Sequence, residues 1–213
     1  MKQKDIFLES EGDQWFARNR QAVSDKKLPD DDFILREIIE IYGYTGSPKI
    51  LEIRCGDGTR LDWLKTHLNA DVYGVEPSAK ACIEACAKGL QIQQGTAEAL
   101  PFDDASFDIV IFGFCLYLVD RQDLFKIASE ANRVLRTPGW LMILDFYSPS
   151  SQARAYHHLP GLTSYKMDYR NMFNWHPDYE CMTHYVRHHN KSSYTDDSDE
   201  WMAVSIMRKQ EKG

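Results

Sequence analysis

"ILEIRCGDGTRL" (residues 50–61) decides how this chain of 213 residues is interpreted. Its first part is apolar and β-like, Gly56 and Gly58 follow as a turn, and Leu61 begins a helical pattern. A strand, a glycine turn and a helix in this order form the place where many α/β enzymes hold a nucleotide. Arg54 stands where a further glycine is expected, so the stretch also raises the question of whether a nucleotide still binds.

The alternation of strands and helices continues beyond this stretch. Further strands are predicted at residues 70–76, 90–95, 107–114 and 140–146, and the third of these is apolar on both faces, as a central parallel strand is. Helices are predicted between them at residues 59–68, 78–89 and 120–136. This spacing indicates an α/β fold with a doubly wound, Rossmann-like and mainly parallel sheet.

The two ends of the chain are less regular. Residues 5–20 are amphipathic, and Asp32 ends an acidic run that suits the start of a helix with Phe33. Residues 148–178 are predicted to be rich in loops, with a helix near residues 150–157. Residues 179–189 and 200–209 are strand-like and are predicted to form an antiparallel hairpin, which brings the sheet to seven strands.

Composition and charge restrict the classes of function. The formal net charge is -7, and a chain without long basic runs is a poor ligand for nucleic acid, so a nucleic-acid partner is disfavoured. The longest apolar run, residues 109–119, is shorter than the roughly 20 residues that cross a bilayer as a helix. The first residues lack an apolar signal segment, and the 5 cysteines include no C-x-x-C pair. We therefore expect a cytoplasmic protein with reduced thiols and no membrane association.

Three features fall at the carboxyl ends of predicted strands, where open α/β sheets bind ligands. The first is the turn that contains Gly56 and Gly58, where a missing Cβ lets the backbone approach a ligand. The second is Glu76, an acid placed to accept hydrogen bonds from a ribose diol. The third is "GTAEALPFDDASFD", in which Ala97 and Glu98 lie where an adenine ring would pack. Each is weak alone, but their order and spacing together predict a nucleoside site.

With these motifs, residues 48–147 resemble the class I S-adenosylmethionine-dependent methyltransferases. The family's first motif, an acid followed by G-x-G-x-G, matches Glu52, Arg54, Gly56 and Gly58. Its second motif acid matches Glu76 in "VEPS", and its later R-V-L-K-P-G-G motif is similar to "RVLRTPGW". The terminal segments "FLESEGDQWFARNR" and "MFNWHPDYE" more loosely resemble small bacterial methyltransferases encoded with genes for surface polysaccharides.

The resemblance implies S-adenosylmethionine as the cofactor and S-adenosylhomocysteine as its product. Cofactor-binding residues would then be Glu52, Arg54, Gly56, Gly58, Glu76, Pro77, Ala97, Glu98 and Phe114. It also implies an enzyme with a small-molecule or sugar-containing acceptor. Residues 1–213 would form a single domain, with an N-terminal arm or lid (1–45), a cofactor-binding core (46–147) and an acceptor-side segment with the closing hairpin (148–213).

Catalytic residues are harder to predict, because the cofactor carries its own activation. Tyr117 and His157 are candidates, with packing as the alternative for the tyrosine and a surface role for the histidine. No metal site is predicted, since His188 and His189 are adjacent in a strand and should point to opposite faces. Trp15 is a candidate for covering the cofactor as part of a lid.

Arg54 leaves two functions open. It is expected to pair with Glu52 or Glu76, or to reach the carboxylate of the cofactor's methionine, and cofactor binding then survives. Alternatively, Arg54 obstructs the site, and the protein is a non-catalytic binding or interaction protein. A nicotinamide-dependent dehydrogenase is disfavoured, because Leu61 stands where the third glycine of G-x-G-x-x-G belongs.

Overall fold

The computed structural model describes residues 2–191 and 193–211, and a seven-stranded sheet forms its centre. The strands are β1 (Lys49–Ile53), β2 (Asp71–Glu76), β3 (Gln91–Gln94), β4 (Phe107–Gly113), β5 (Leu135–Phe146), β6 (Gln152–Ala155), β7 (Thr163–Lys166), β8 (Tyr179–His188) and β9 (Trp201–Lys209). The order in the main sheet is β3-β2-β1-β4-β5-β9-β8. The first five strands of this order are parallel, and β9 runs antiparallel to both β5 and β8, so the predicted fold class and hairpin are confirmed.

Two of the α-helices begin at a side-chain cap. The α-helices are α1 (Gln3–Ile6), α2 (Gly12–Ser24), α3 (Phe33–Tyr42), α4 (Thr59–Leu68), α5 (Ala79–Ala87) and α6 (Leu124–Val134), and a π-helical turn (Phe7–Glu11) joins α1 to α2. The Asp32 carboxylate accepts a hydrogen bond from the Leu35 N–H at the start of α3. Ser78 caps α5 in the same way through the Ala81 N–H. Both caps satisfy backbone donors that a helix leaves unpaired at its start.

Apolar layers cover both faces of the sheet. Helix α6 packs on one face through Ile127, Ala131 and Val134. Helices α3, α4 and α5 cover the other face, and the predicted apolar side of α4 is completely buried there. With both faces covered, the edge formed by the strand ends is the part of the sheet at which a ligand can reach the backbone.

Two expectations about secondary structure are wrong. Residues 150–157 do not form a helix, because Gln152–Ala155 pairs with Thr163–Lys166 as a small antiparallel ribbon, and these cross-strand hydrogen bonds override a weak helical preference. Helix α6 is also shorter than residues 120–136. It ends at Val134, since Leu135 is already extended and pairs with Phe107 in β4.

The search for membrane-spanning segments is negative for the described part of the chain: each helix is too short or too polar to cross a bilayer.

Candidate functional site

The turn after β1 adopts the left-handed backbone that a glycine-rich motif allows. The φ angle is 65° at Arg54, 58° at Gly56 and 73° at Gly58. A Cβ at Gly56 would meet no atom within 4 Å, so this position lies open. A Cβ at Gly58 would clash with Leu90 Cδ1, so the second glycine allows packing against a neighbouring loop.

Glu76 lies at the end of β2 and binds the turn. Its carboxylate accepts hydrogen bonds from the Gly56 and Ser78 backbone N–H groups, each at 2.9 Å. Burial raises the pKa of Glu76, while the nearby Arg54 charge and the two backbone donors oppose that shift. Each carboxylate oxygen uses one lone pair in this way, so the second lone pair of each remains for a hydroxyl donor.

Glu52 has a different environment, although both acids are buried. It pairs with Arg60 of α4, which also binds Asp32, and these three residues form a chain between β1 and the start of α3. Burial raises the pKa of Glu52 to about 7 despite Arg60. Its Oε2 atom is buried and has no hydrogen-bond partner among the described residues. Glu52 lies on the wall of neither cavity described below.

Arg54 points into a group of aromatic rings. Its Cζ lies 4.5 Å from the Trp15 ring centroid, 5.3 Å from that of Phe7 and 5.4 Å from that of Tyr117. The guanidinium donates a hydrogen bond of 2.9 Å to the Phe114 carbonyl oxygen. Aromatic faces attract a cation, and the attraction increases when water is excluded.

The expected ion pair of Arg54 with Glu52 or Glu76 is wrong. Among the described residues, Arg54 forms no ion pair with either acid. The expectation assumed that residues 52 and 54 share one face of a strand, but β1 ends at Ile53. With φ at 65°, Arg54 leaves the strand direction and points to the rings instead. For a residue with a Cβ, this backbone conformation costs about 1–2 kcal/mol.

A small apolar cavity lies beside this turn. Its walls include Val75, Pro77, Ala97, Glu98 and Arg54, so four of the predicted cofactor residues line it. Its volume is about 50 Å³, well below the roughly 150 Å³ of an apolar cavity that binds benzene. The cavity in this conformation is therefore too small for a nucleoside.

The N-terminal segment (residues 2–24) fills the remaining space. Lys4 pairs with Glu98 at 2.6 Å, and Phe7 forms part of the cavity wall. Gly12 lies directly on the turn after β2, since a Cβ there would meet Ser78 N at 3.1 Å and Phe7 O at 2.5 Å. No motif in the sequence marks Lys4 or Phe7, although a glycine inside a helical stretch, such as Gly12, is a signal of close backbone approach.

A much larger cavity, of about 990 Å³, opens on the other side of the aromatic group. Trp15, Phe114 and Tyr117 belong to its wall and also surround Arg54 or accept its hydrogen bond. The guanidinium therefore lies at the boundary between the two cavities. Polar and charged side chains line much of the rest of the large cavity. Some come from the C-terminal half of the chain, among them His157, His158, Lys166, Arg187 and His189, and others come from residues 19–36.

The candidate catalytic residues differ in exposure. Tyr117 is buried, and its hydroxyl accepts a hydrogen bond of 2.9 Å from Trp15 Nε1, which connects the N-terminal segment to the sheet edge. Burial raises the pKa of Tyr117, although Arg54 and Trp15 oppose the shift. His157 and His158 are exposed on the wall of the large cavity with ring centroids 4.2 Å apart.

His188 and His189 do not point to opposite faces as expected. Strand β8 ends at His188, so the alternation of side chains stops there, and the two rings are stacked at 5.3 Å. His188 Nε2 lies 3.6 Å and His189 Nδ1 lies 2.8 Å from Glu200 Oε2. These three residues could supply ligands to a metal ion, and nothing further in the structure points to one.

Comparison with known proteins identifies the central region. Residues 51–143 match the family described as "Methyltransferase domain". This region is a class I methyltransferase domain. The predicted family and its cofactor, S-adenosylmethionine, are confirmed at the level of this domain.

Three similar proteins illustrate the range of the methyltransferase domain. The chain is 30% identical over 141 residues to the methyltransferase YcgJ of Bacillus subtilis, which covers 63% of this chain and 54% of that protein. It is 31% identical over 130 residues to a fatty-acid O-methyltransferase of Mycolicibacterium smegmatis, which covers 55% of this chain and 46% of that protein. The chain thus spans about half the length of these curated relatives.

The third is a crystal structure. The 1,6-didemethyltoxoflavin-N1-methyltransferase of Burkholderia thailandensis, solved with 1,6-didemethyltoxoflavin and S-adenosylhomocysteine, superposes with a TM-score of 0.73 at 14% identity. The superposition covers 97% of this chain and 89% of that one. At this identity the likeness concerns the fold.

The residues present fit the nucleoside half of S-adenosylmethionine better than the methionine half. On the nucleoside side, Glu76 keeps free acceptor lone pairs and Pro77 and Ala97 line an apolar cavity. On the methionine side, the unpartnered Oε2 of Glu52 is an acceptor that an ammonium group would satisfy. The Arg54 guanidinium, however, already occupies the boundary between the cavities.

Proposed function

We propose that the protein transfers a methyl group from S-adenosylmethionine to a small polar acceptor, such as a sugar-containing molecule, bound in the larger cavity. The observation that carries the proposal is the meeting of two cavities of different character at the carboxyl ends of β1 and β4. One adjoins the nucleoside motifs, and the other has both charged and aromatic walls and is large enough for a separate molecule. Separate sites that meet at one boundary suit direct transfer between two bound molecules.

A polar acceptor suits the larger cavity better than a fatty chain. An apolar ligand needs a mostly apolar lining with few polar groups. Here the wall includes Lys166, Arg187 and His189 as well as the exposed His157 and His158. We therefore do not propose a fatty acid, the acceptor named for one relative, as the acceptor of this chain. A sugar has many hydroxyls and apolar ring faces, so it suits a wall that contains both charged and aromatic side chains.

The cofactor would supply the activated methyl group, and the protein's residues would position the acceptor and remove its proton. Tyr117 serves positioning, because its raised pKa keeps the hydroxyl protonated. His158 is suited to accept a proton, since loss of contact with water and the nearby Arg18 charge lower its pKa and favour the neutral ring. His157 lies beside it as a second candidate base.

Cofactor entry requires the N-terminal segment to move. The small cavity of about 50 Å³ does not accommodate a nucleoside while Lys4 and Phe7 form its wall. Breaking the Lys4–Glu98 ion pair and the Trp15–Tyr117 hydrogen bond would open both cavities together. We therefore assign residues 1–45 the lid role within one domain of residues 1–213.

A second candidate function rests on Arg54. If its guanidinium stays within the Phe7, Trp15 and Tyr117 rings, the methionine half of the cofactor has no place, and the protein is a non-catalytic binding or interaction protein. A like charge adds to the obstruction, because a guanidinium about 4 Å from a sulfonium costs about 4 kcal/mol near a protein surface.

The test is a thermal shift followed by a transfer assay. S-adenosylhomocysteine should raise the melting temperature saturably, and NAD at the same concentrations should not. Labelled S-adenosylmethionine should then pass its methyl group to a member of a panel of free sugars and sugar phosphates. Saturable NAD binding without a response to S-adenosylhomocysteine would overturn the proposal.

A further inference from the structure

Two arginines on the wall of the larger cavity have no acidic partner. Arg36 of α3 and Arg187 of β8 both line the cavity. Among the described residues, neither guanidinium forms a hydrogen bond or an ion pair with another side chain or with the backbone. Arg187 Nη1 is buried and appears among the few buried polar atoms left without a partner in the described chain. A buried donor without a partner is unfavourable, so its retention calls for a reason.

Aromatic rings hold both guanidiniums in place. Arg187 Cζ lies 3.7 Å from the Tyr194 ring centroid and 5.3 Å from that of Tyr185. Arg36 Cζ lies 4.7 Å from the Phe33 ring centroid, and the Phe33 and Tyr185 rings are themselves 6.0 Å apart. The two arginines thus flank one connected aromatic group, and both charges act on the Tyr185 hydroxyl.

The acids of the same cavity are mostly engaged elsewhere. Asp32 binds Arg60, and Asp199 binds Arg154 at 2.5 Å. Asp31 accepts a hydrogen bond from the Lys27 backbone N–H. The other two, Asp25 and Asp30, lie on the segment that also contributes Lys26 to the wall. None of these acids forms an ion pair with Arg36 or Arg187 among the described residues, so neither cation has an acid of the wall as a partner.

We infer that Arg36 and Arg187 form a binding subsite for an oxyanion, a phosphate or carboxylate group carried by the acceptor. A stacked guanidinium is held in orientation and offers parallel N–H donors, which match the oxygens of these groups. Arg187 supplies the principal contact, since its buried Nη1 gains a partner, and Arg36 supplies a second charge. The inference rests on the proposed function only in taking the larger cavity as the acceptor site.

Glucose 1-phosphate tests this subsite in the absence of any cofactor. Ligand-observed NMR titration of the whole protein should show glucose 1-phosphate binding at least ten-fold more tightly than glucose, since only the former carries the oxyanion. Glucuronate provides the carboxylate arm. Tighter binding of either anionic sugar than of glucose supports the subsite. The anionic sugar that binds more tightly shows whether the subsite prefers a phosphate or a carboxylate group. Equal binding of all three sugars overturns it.

Two substitutions locate the subsite. Arg187→Met should reduce the affinity for the preferred anionic sugar about ten-fold or more, and Arg36→Met should reduce it less. Arg208→Met is the matched control, because Arg208 also stacks on a ring, Trp140 at 4.6 Å, but lines neither cavity. Circular dichroism and melting temperature establish that each variant is folded, and Arg187→Lys replaces Arg187→Met if the latter is not. Equal affinities for the Arg187 and Arg208 variants overturn the assignment.

Because this titration needs no nucleoside, its result is independent of the proposed methyl transfer. Loss of the response to S-adenosylhomocysteine with retained binding of the anionic sugar would refute methyl transfer and leave the subsite in place. A retained response to S-adenosylhomocysteine with no preference for the anionic sugars would refute the subsite and leave the proposed methyl transfer in place.

Discussion

Glu52 and Glu76 are both buried acids at the carboxyl ends of neighbouring parallel strands, yet their partners differ. Glu52 is bound by the side chain of Arg60, in an ion-pair chain that holds α3 and α4 against β1. Among the described residues, the Glu76 carboxylate accepts hydrogen bonds only from backbone N–H groups of the turns that surround the small cavity. In this conformation the first acid serves the packing of the fold through Arg60, and its Oε2 atom has no partner among the described residues. We propose that the second acid becomes available to a ligand when the N-terminal segment moves away.

The largest expected effect comes from a substitution of Glu76, the acid on the nucleoside side. Glu76→Gln replaces one hydrogen-bond-accepting carboxylate oxygen with an NH₂ group and removes the negative charge. We expect the affinity for S-adenosylhomocysteine to fall about 10- to 100-fold. Calorimetry with Arg54→Gly as the parent protein measures this loss over the widest range. Asp57→Asn is the control in the same turn, because that carboxylate binds Lys88 instead of a cavity group. Equal affinities for the two variants would show that Glu76 has no ligand role.

The next effect concerns the other acid and pH. Because the pKa of Glu52 in the folded state is about 7, the folded protein keeps a proton that the unfolded chain loses above about pH 4.5. Stability should therefore fall as pH rises from about 5 to 7. Glu52→Gln should remove part of this decrease, and two other buried acids, Asp145 with its pKa raised to about 7 and Glu76 with its pKa also raised, should retain the rest.

Urea unfolding at several pH values measures how the free energy of unfolding changes with pH. Asp168, an acid whose pKa is lowered instead of raised, provides the control. Burial acts against ionisation of Asp168, but hydrogen bonds from Arg170 outweigh it and hold the pKa of Asp168 below its usual value. Both the folded and the unfolded state are then ionised at that residue above pH 5, so Asp168→Asn should leave the slope between pH 5 and 7 unchanged. An unchanged slope in Glu52→Gln would contradict the account of Glu52.

The smallest effect sharpens the claim that the N-terminal segment covers Glu76. Gly12→Ala places a Cβ 2.5 Å from Phe7 O and 3.1 Å from Ser78 N, so the helix must shift from the turn. We expect the free energy of unfolding to fall by about 1–2 kcal/mol in urea. Gln14→Ala, at an exposed position of the same helix, should change it by less than about 0.5 kcal/mol. A Gly12→Ala protein as stable as the control would mean that the segment is not closely packed there.

Much of the fold could be predicted because its signals are local. The apolar runs of β1 and β4 and the caps Asp32 and Ser78 act within a few residues. The ribbon of β6 and β7 could not be predicted, since its stability comes from pairing across a loop. The stacking of His188 and His189 depends on where β8 ends, which tertiary contacts decide.

The candidate site divides in the same way. The positions of Pro77, Ala97 and Glu98 on one cavity wall follow from the order of the parallel strands, which the sequence pattern indicates. The environment of Arg54 could not be derived, because it depends on Phe7 and Trp15, more than thirty residues earlier, and on Tyr117, more than sixty residues later. Long-range packing of one side chain leaves no periodic pattern in a sequence.

The central claim is that Arg54 weakens cofactor binding at the boundary of the two cavities without abolishing it. Calorimetric titration of S-adenosylhomocysteine into the wild-type protein, Arg54→Met and Arg54→Gly tests it most directly. We predict saturable binding to the wild type and at least ten-fold tighter binding to both variants, since each lacks the guanidinium and the glycine also relieves the backbone strain. Absence of binding to the wild type alone, or tighter binding to the wild type than to either variant, would contradict the claim.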